Sequence, residues 1–195
     1  MRPAVFLDRD GTIIRHVHHL HRVEDVQLEP GAAEAIAALR EAGFLAIVAT
    51  NQSVVGRGLL TPEGLEEIHA VMLERLRGAH PAAVVDAIYW NPHLPPRDTE
   101  DPPPERKPGP GMLLRAADEH GIDLGASWMV GDSISDVDAG RRAGCRGSIL
   151  VETGLGGRAR LEADPATILA RDLAEAAQII LASAQESGSA EAARR

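Results

Sequence analysis

The 195-residue chain has a single cysteine, Cys145, so it can form neither an intrachain disulfide nor a multi-cysteine metal site. Aromatic residues are 3% of it against 44% hydrophobic residues in all, so its core has to be assembled from Ala, Val, Leu and Ile. No apolar run is long enough to span a membrane. Charge enters by Asp8, which leaves no room for the apolar stretch of a secretion signal, so a cytoplasmic location is expected, with no membrane partner. Positive charge is in short supply: 20 Lys and Arg stand against 29 Asp and Glu, a net of −9. With no basic stripe to follow a phosphate backbone, a nucleic-acid partner is not expected. Lysine is the scarcest charged residue: Lys107 stands alone beside nineteen arginines.

What is present is a regular alternation. Strand-length apolar runs lie at residues 4–7, 45–49, 87–90, 128–130 and 148–151, none strictly alternating, as befits strands buried on both faces. Helical patterns fall between and after them, at 32–42, 65–76, 111–120, 135–143 and 173–184. Thr61-Pro62 reads as a cap followed by proline at the first helical position, and Gly43, Gly121 and Gly144 read as helix stops. This implies an α/β fold: a doubly wound, mainly parallel sheet with helices on both faces and no large cap domain. One domain over residues 1–186 is expected, monomeric, with a frayed tail at 187–195.

Four polar groups sit where strands end, the place where such sheets bind ligands. The first is Asp8-Arg9-Asp10-Gly11-Thr12, two carboxylates with one residue between them and a glycine that lets the chain turn. A bare Asp-x-Asp fits a polar turn equally well. The second is Thr50-Asn51-Gln52-Ser53, whose hydroxyl, amides and backbone N–H groups suit phosphate oxygens. The third is Gly131-Asp132-Ser133-Ile134-Ser135-Asp136. Helix capping by Ser135 and Asp136 accounts for Asp136 but not for Asp132. The fourth is Arg106-Lys107-Pro108, where a compact ammonium suits a small anion.

Taken together and in this order, the four groups resemble the haloacid dehalogenase (HAD) superfamily of aspartate-nucleophile phosphohydrolases. Within it they are most similar to the small capless phosphatases acting on histidinol phosphate or on D-glycero-D-manno-heptose 1,7-bisphosphate. The resemblance implies a Mg²⁺-dependent phosphomonoesterase. Asp8 would be the nucleophile that becomes an aspartyl phosphate, and Asp10 the general acid and base. Mg²⁺ would be held by Asp8, Asp132 and the backbone carbonyl of Asp10, and Asp10 would turn its side chain toward the leaving group. Lys107, Thr50, Asn51 and Gln52 would bind the phosphate. The substrate expected first is the heptose bisphosphate, cleaved at its 7-phosphate, with Arg57 and Arg106 holding the second phosphate. The alternatives are histidinol phosphate and a phosphate-binding relative without turnover.

Three features depart from the pattern or stand outside it. Heptose-bisphosphate phosphatases often carry a zinc loop before the lysine, and the matching positions here are Asn91, His93, Pro103 and Glu105. Without thiolates no zinc is expected, and prolines 92, 95, 96, 102, 103 and 104 would stiffen the loop instead. The run His16-Val17-His18-His19-Leu20-His21 follows the first motif and could line the sugar pocket. Gly154-Leu155-Gly156-Gly157 lacks the context of a dinucleotide fingerprint, and Cys145 reads as core filler, not a nucleophile.

Overall fold

The computed structural model describes residues 1–95, 103–161 and 163–192. In chain order its elements are β1 (Ala4–Leu7), α1 (Ala32–Glu41), β2 (Leu45–Asn51), α2 (Ser53–Gly56), α3 (Pro62–Ala79) and β3 (Ala87–Asn91). They continue with α4 (Gly111–His120), β4 (Trp128–Gly131), α5 (Ile134–Ala143), β5 (Gly147–Val151), α6 (Gly156–Ala159), β6 (Ile168–Ala170) and α7 (Leu173–Ala192). The strands form one sheet in the order β3-β2-β1-β4-β5-β6, and every neighbouring pair is parallel.

The central strand shows why the sequence runs are continuous rather than alternating. All four residues of β1 are fully buried, yet they serve two cores. Val5 and Leu7 pack with Ile36 of α1, Ile68 and Met72 of α3, and Ile180 of α7. Ala4 and Phe6 point the other way, onto Met112, Leu113 and Ala116 of α4. Side chains alternate across a strand, so a sheet covered on both faces needs apolar residues at every position. No helix among the described residues is long and apolar enough to cross a membrane.

Local signals set the helix ends. Thr61 caps α3 by accepting from the Gly64 N–H at 3.1 Å, with Pro62 in the first turn and Leu65, Ile68, Met72 and Leu76 as its buried stripe. Gly121 and Gly144 take left-handed conformations after α4 and α5. The cap of α5 is Ser133, whose hydroxyl accepts from Ser135 N–H, while the Asp136 carboxylate accepts from the Ser133 N–H. Ser135 is therefore inside the helix, and Asp136 closes a capping box instead of capping by itself.

Two elements differ from the sequence expectation. Strand β6 is three residues at the sheet edge, with Ile168 and Leu169 partly in water, too short and too exposed to register as an apolar run. Helix α7 runs as far as Ala192, past the apolar pattern that ends at residue 184. Residues 193–195 lie outside the described residues.

One polar side chain sits deep in the α3 stripe. His69 is 2% exposed, and neither ring nitrogen has a hydrogen-bond partner. Burial first, then the Arg9 charge, pushes it down from 6.5 to about 3. Exposed Glu66, 3.7 Å away, sits too far into water to offset this. Between those two values the unfolded chain takes up a proton that the folded chain refuses. The stability tied to neutral His69 is thus complete above pH 6.5 and is lost as pH falls, at about 1.4 kcal/mol per pH unit. Urea unfolding at pH 7 and pH 5 should cost the wild type about 2 kcal/mol more than His69→Gln over that interval. Equal losses in the two proteins would contradict a neutral, buried His69.

Candidate active site

The strand order reverses direction between β1 and β4, and the crevice at their carboxyl ends is the topological switch point. Asp8 follows β1 directly, its N–H bonded to Val130 O of β4 at 2.9 Å, and Asp132 follows β4. The chain returns to this point a third time with Asp136 in the first turn of α5. One carboxylate oxygen from each of Asp8, Asp132 and Asp136 lies within 4.8 Å of the others. Lys107 enters from the segment before α4, only 3% exposed. Its Nζ lies 2.7 Å from Asp8 Oδ1, 2.6 Å from Asp136 Oδ1 and 2.6 Å from Ala49 O. An ammonium has three protons, so all its donors are engaged.

The charges do not balance. Three carboxylates share one ammonium, leaving two negative charges in a nearly dry site. Burial alone would lower the Lys107 ammonium, but Asp136 and then Asp8 outweigh it and hold it above its ordinary value. Burial pushes both Asp132 and Asp136 upward, Asp132 further because Asp8 and Asp136 repel its charge, whereas Lys107 relieves Asp136. A hard cation with oxygen ligands fits this set: carboxylates of small reach, clustered, and short of positive charge.

Backbone approach makes the cluster possible. At Gly11, φ is +79°, and a Cβ there would fall on the Asp132 carboxylate. At Gly131 a Cβ would fall on the Asp136 carboxylate. Asp132 Oδ2 also accepts from the Leu155 N–H at 2.7 Å. Sequence reasoning missed that role: the Gly154-Leu155 turn, set aside as a nucleotide fingerprint, is the clamp that holds Asp132. Its only signal was a glycine pair following a fifth strand.

A second network surrounds Asp10. Its carboxylate does not join the acidic cluster. Oδ2 accepts from Arg9 Nε at 3.1 Å and from Gln52 Nε2 at 2.8 Å, and Oδ1 from Arg9 Nη2 at 3.2 Å. Gln52 Nε2 also donates to Thr50 Oγ1 at 2.9 Å, and Gln52 Oε1 accepts from Arg9 Nη2 at 2.9 Å. Gln52, read from sequence as a phosphate ligand, is committed to Asp10, Thr50 and Arg9. Asn51, read the same way, clamps the lysine backbone: its Nδ2 donates to Lys107 O at 3.0 Å and its Oδ1 accepts from Lys107 N at 3.1 Å. Thr50 keeps its own hydroxyl proton to donate. An amide's partner is not encoded locally, so neither pairing has a signal in the sequence.

These residues line a cavity of ≈ 270 Å³ whose wall is completed by His16, Val17, His18, His19 and Leu20. His19 adopts φ of +52°, its carbonyl 2.8 Å from His21 Nδ1, and its ring lies 3.9 Å from that of His18. Arg57 and Arg106, the expected holders of a second phosphate, do not line the cavity. Arg57 is exposed, and Arg106 is half-buried with Nη1 donating to His93 O. The two guanidiniums are nonetheless near enough for Arg106 to feel the Arg57 charge. Arg106 is lowered by burial and then by Arg57, and His19 by partial burial and then by His18, Arg57 and His21.

In the loop before Lys107, the Asn91 side-chain oxygen is bonded to His93, 2.9 Å from its N–H and 3.0 Å from its ring Nδ1. Pro96 and Pro102 lie outside the described residues. Cys145 is half-buried, and burial pushes its thiol up to about 12, which leaves no thiolate for nucleophilic chemistry.

Comparison with known proteins agrees with this geometry. A family model described as HAD-hydrolase-like matches residues 105–176. The D-glycero-D-manno-heptose-1,7-bisphosphate 7-phosphatase of Thermosynechococcus vestitus is 41% identical over 189 residues, 92% of this chain and 95% of that one. The D-glycero-beta-D-manno-heptose-1,7-bisphosphate 7-phosphatase of Escherichia coli is 39% identical over 155 residues, 78% of this chain and 80% of that one. The crystal structure of D,D-heptose 1,7-bisphosphate phosphatase from B. bronchiseptica, complexed with magnesium and phosphate, matches with a TM-score of 0.82 at 35% identity. That match covers 93% of this chain and 99% of the other. A strand-end aspartate beside a second acid and a buried lysine, on a sheet shared with these proteins, means that the chain belongs to the HAD-like hydrolases, in the group of the heptose-bisphosphate 7-phosphatases.

Proposed function

We propose that this chain hydrolyses the 7-phosphate of D-glycero-D-manno-heptose 1,7-bisphosphate, with Mg²⁺ as cofactor and an aspartyl phosphate on Asp8 as intermediate. The observation that carries the reading is the Asp8 carboxylate, fixed at the switch point by Lys107 with Asp132 alongside. A carboxylate about 4 Å from a phosphate dianion meets ~8 kcal/mol of repulsion at an effective dielectric near 20, worth on the order of six powers of ten in rate. Asp8 and Asp132, with the backbone carbonyl of Asp10, would hold the cation, and when bound it supplies the charge that offsets this repulsion. Lys107 keeps Asp8 aimed and adds one fixed positive charge. The Thr50 hydroxyl donates to a phosphate oxygen, and Asp10 protonates the leaving oxygen and then deprotonates the attacking water.

The rim favours a substrate with a second anion. Arg57 and Arg106 supply positive charge outside the cavity, and these would meet the far phosphate of an extended bisphosphate. The same group would repel the cationic end of histidinol phosphate. The clamp on Asp10 favours turnover over simple phosphate binding, which has no use for an acid held outside the acidic cluster.

Asp8→Asn and Asp132→Asn should each lose nearly all phosphatase activity in Mg²⁺, and a chelator should reduce the wild type to the same level until Mg²⁺ is restored. Ordinary turnover in either variant would remove this mechanism. Metal analysis of the purified protein should find no stoichiometric zinc. For the second phosphate, the double change Arg57→Ala with Arg106→Ala should cut the preference for the bisphosphate over the 7-monophosphate by about tenfold or more in kcat/KM, mostly through KM. An unchanged preference would take the second phosphate away from these two arginines.

A further inference from the structure

Arg9 is the largest fully buried side chain among the described residues. It is 1% exposed, while the Asp10 carboxylate beside it is 20% exposed. Arg9 places Nε and Nη2 across both oxygens of that carboxylate, a planar fork that fixes the carboxylate plane as well as its position. Gln52 binds the Arg9 fork and the Asp10 carboxylate at once, so Arg9, Asp10 and Gln52 close a ring. On the far side, Arg9 Nη1 is buried without a partner, as are both ring nitrogens of His69, and the Arg9 charge is the one His69 feels. Buried donors and acceptors without partners are costly, and a neutral imidazole offers the lone pair that Nη1 lacks, directly or through one water.

We propose that Arg9 is the positioning residue for Asp10, tied to Gln52 on the cavity side and backed by the unpartnered His69 on the core side, so that the carboxyl delivers its proton to the leaving oxygen. Asp10 needs such a grip. It stands in a turn just past the strand end, and a general acid must come within about 3 Å of the atom it protonates. Misplacement by about 1 Å can cost on the order of a hundredfold. His69 does not line the cavity, and the site charge it feels is that of Arg9.

The inference rests on the reading of Asp10 as general acid, and the test separates the two. Each protein is assayed for kcat/KM on heptose 1,7-bisphosphate, whose alkoxide leaving group needs a proton, and on p-nitrophenyl phosphate, whose phenolate does not. The constant kcat/KM covers only the steps through formation of the phosphoenzyme, and the ratio of the two values does not depend on how much of the sample is folded. Asp10→Asn should lower the sugar-to-aryl ratio by about a hundredfold or more. Arg9→Lys, which keeps the charge and loses the fork, should lower it about tenfold, and His69→Leu about threefold, while His69→Gln restores it. An Asp10→Asn ratio equal to wild type would sink the general-acid reading itself. A normal Asp10→Asn effect, with Arg9→Lys and His69→Leu ratios at the wild-type value because both substrates fall together or neither falls, would leave that reading intact and overturn the positioning role. If Arg9→Lys yields no folded enzyme, the two His69 variants decide the matter in the same way.

Discussion

The ammonium of Lys107, shared by Asp8, Asp136 and the Ala49 carbonyl, is the interaction on which the site depends. Its partners come from three separate elements: the end of β1, the first turn of α5 and β2. Remove it and three buried carboxylates face one another without compensation, a situation that proteins avoid by neutralising or exposing the groups. Asn51 holds the lysine backbone from both sides, so the residue is placed by its main chain and not by a flexible stem. The central parallel strands make this economical, because each ends at the same edge of the sheet and delivers one functional group there.

The site divides its charge by depth. The floor, at Asp8, Asp132 and Asp136, is negative and calls for a cation. Outside the cavity Arg57 and Arg106 carry positive charge. Asp10 is tied to Arg9 and Gln52 and kept out of the acidic cluster. The left-handed backbone at His19 belongs to the cavity wall, where strained residues often shape a ligand surface.

Much of this was legible in the residues. Strand runs 4–7 and 87–90 and helix 111–120 appear within a residue of where their periodicity put them, because a doubly covered sheet and an amphipathic helix leave distinct patterns. Gly121 and Gly144 stopped their helices as read. Edge strand β6 and the far end of α7 were not legible: a three-residue exposed strand has no pattern, and helix formers without an apolar stripe carry only a weak preference. In the site, Asp8, Asp132 and Lys107 were readable as strand-end or isolated charges. The bonds of Gln52 to Asp10 and of Asn51 to Lys107 had no local sign, nor had the parts played by Leu155 and His69.

The division follows from the range of the forces involved. Hydrophobic periodicity, helix caps and positive-φ glycines act over a few residues, so the sequence by itself determined the order of strands and helices and the chemical kinds of group at their ends. Which group bonds to which depends on the strand order 3-2-1-4-5-6, which brings residues 8, 50, 107, 132 and 155 to one crevice from across the chain. Hydrogen bonds and ion pairs are decided over a few ångströms, and only the tertiary structure sets those distances. That is why the acids were foreseeable and their partners were not.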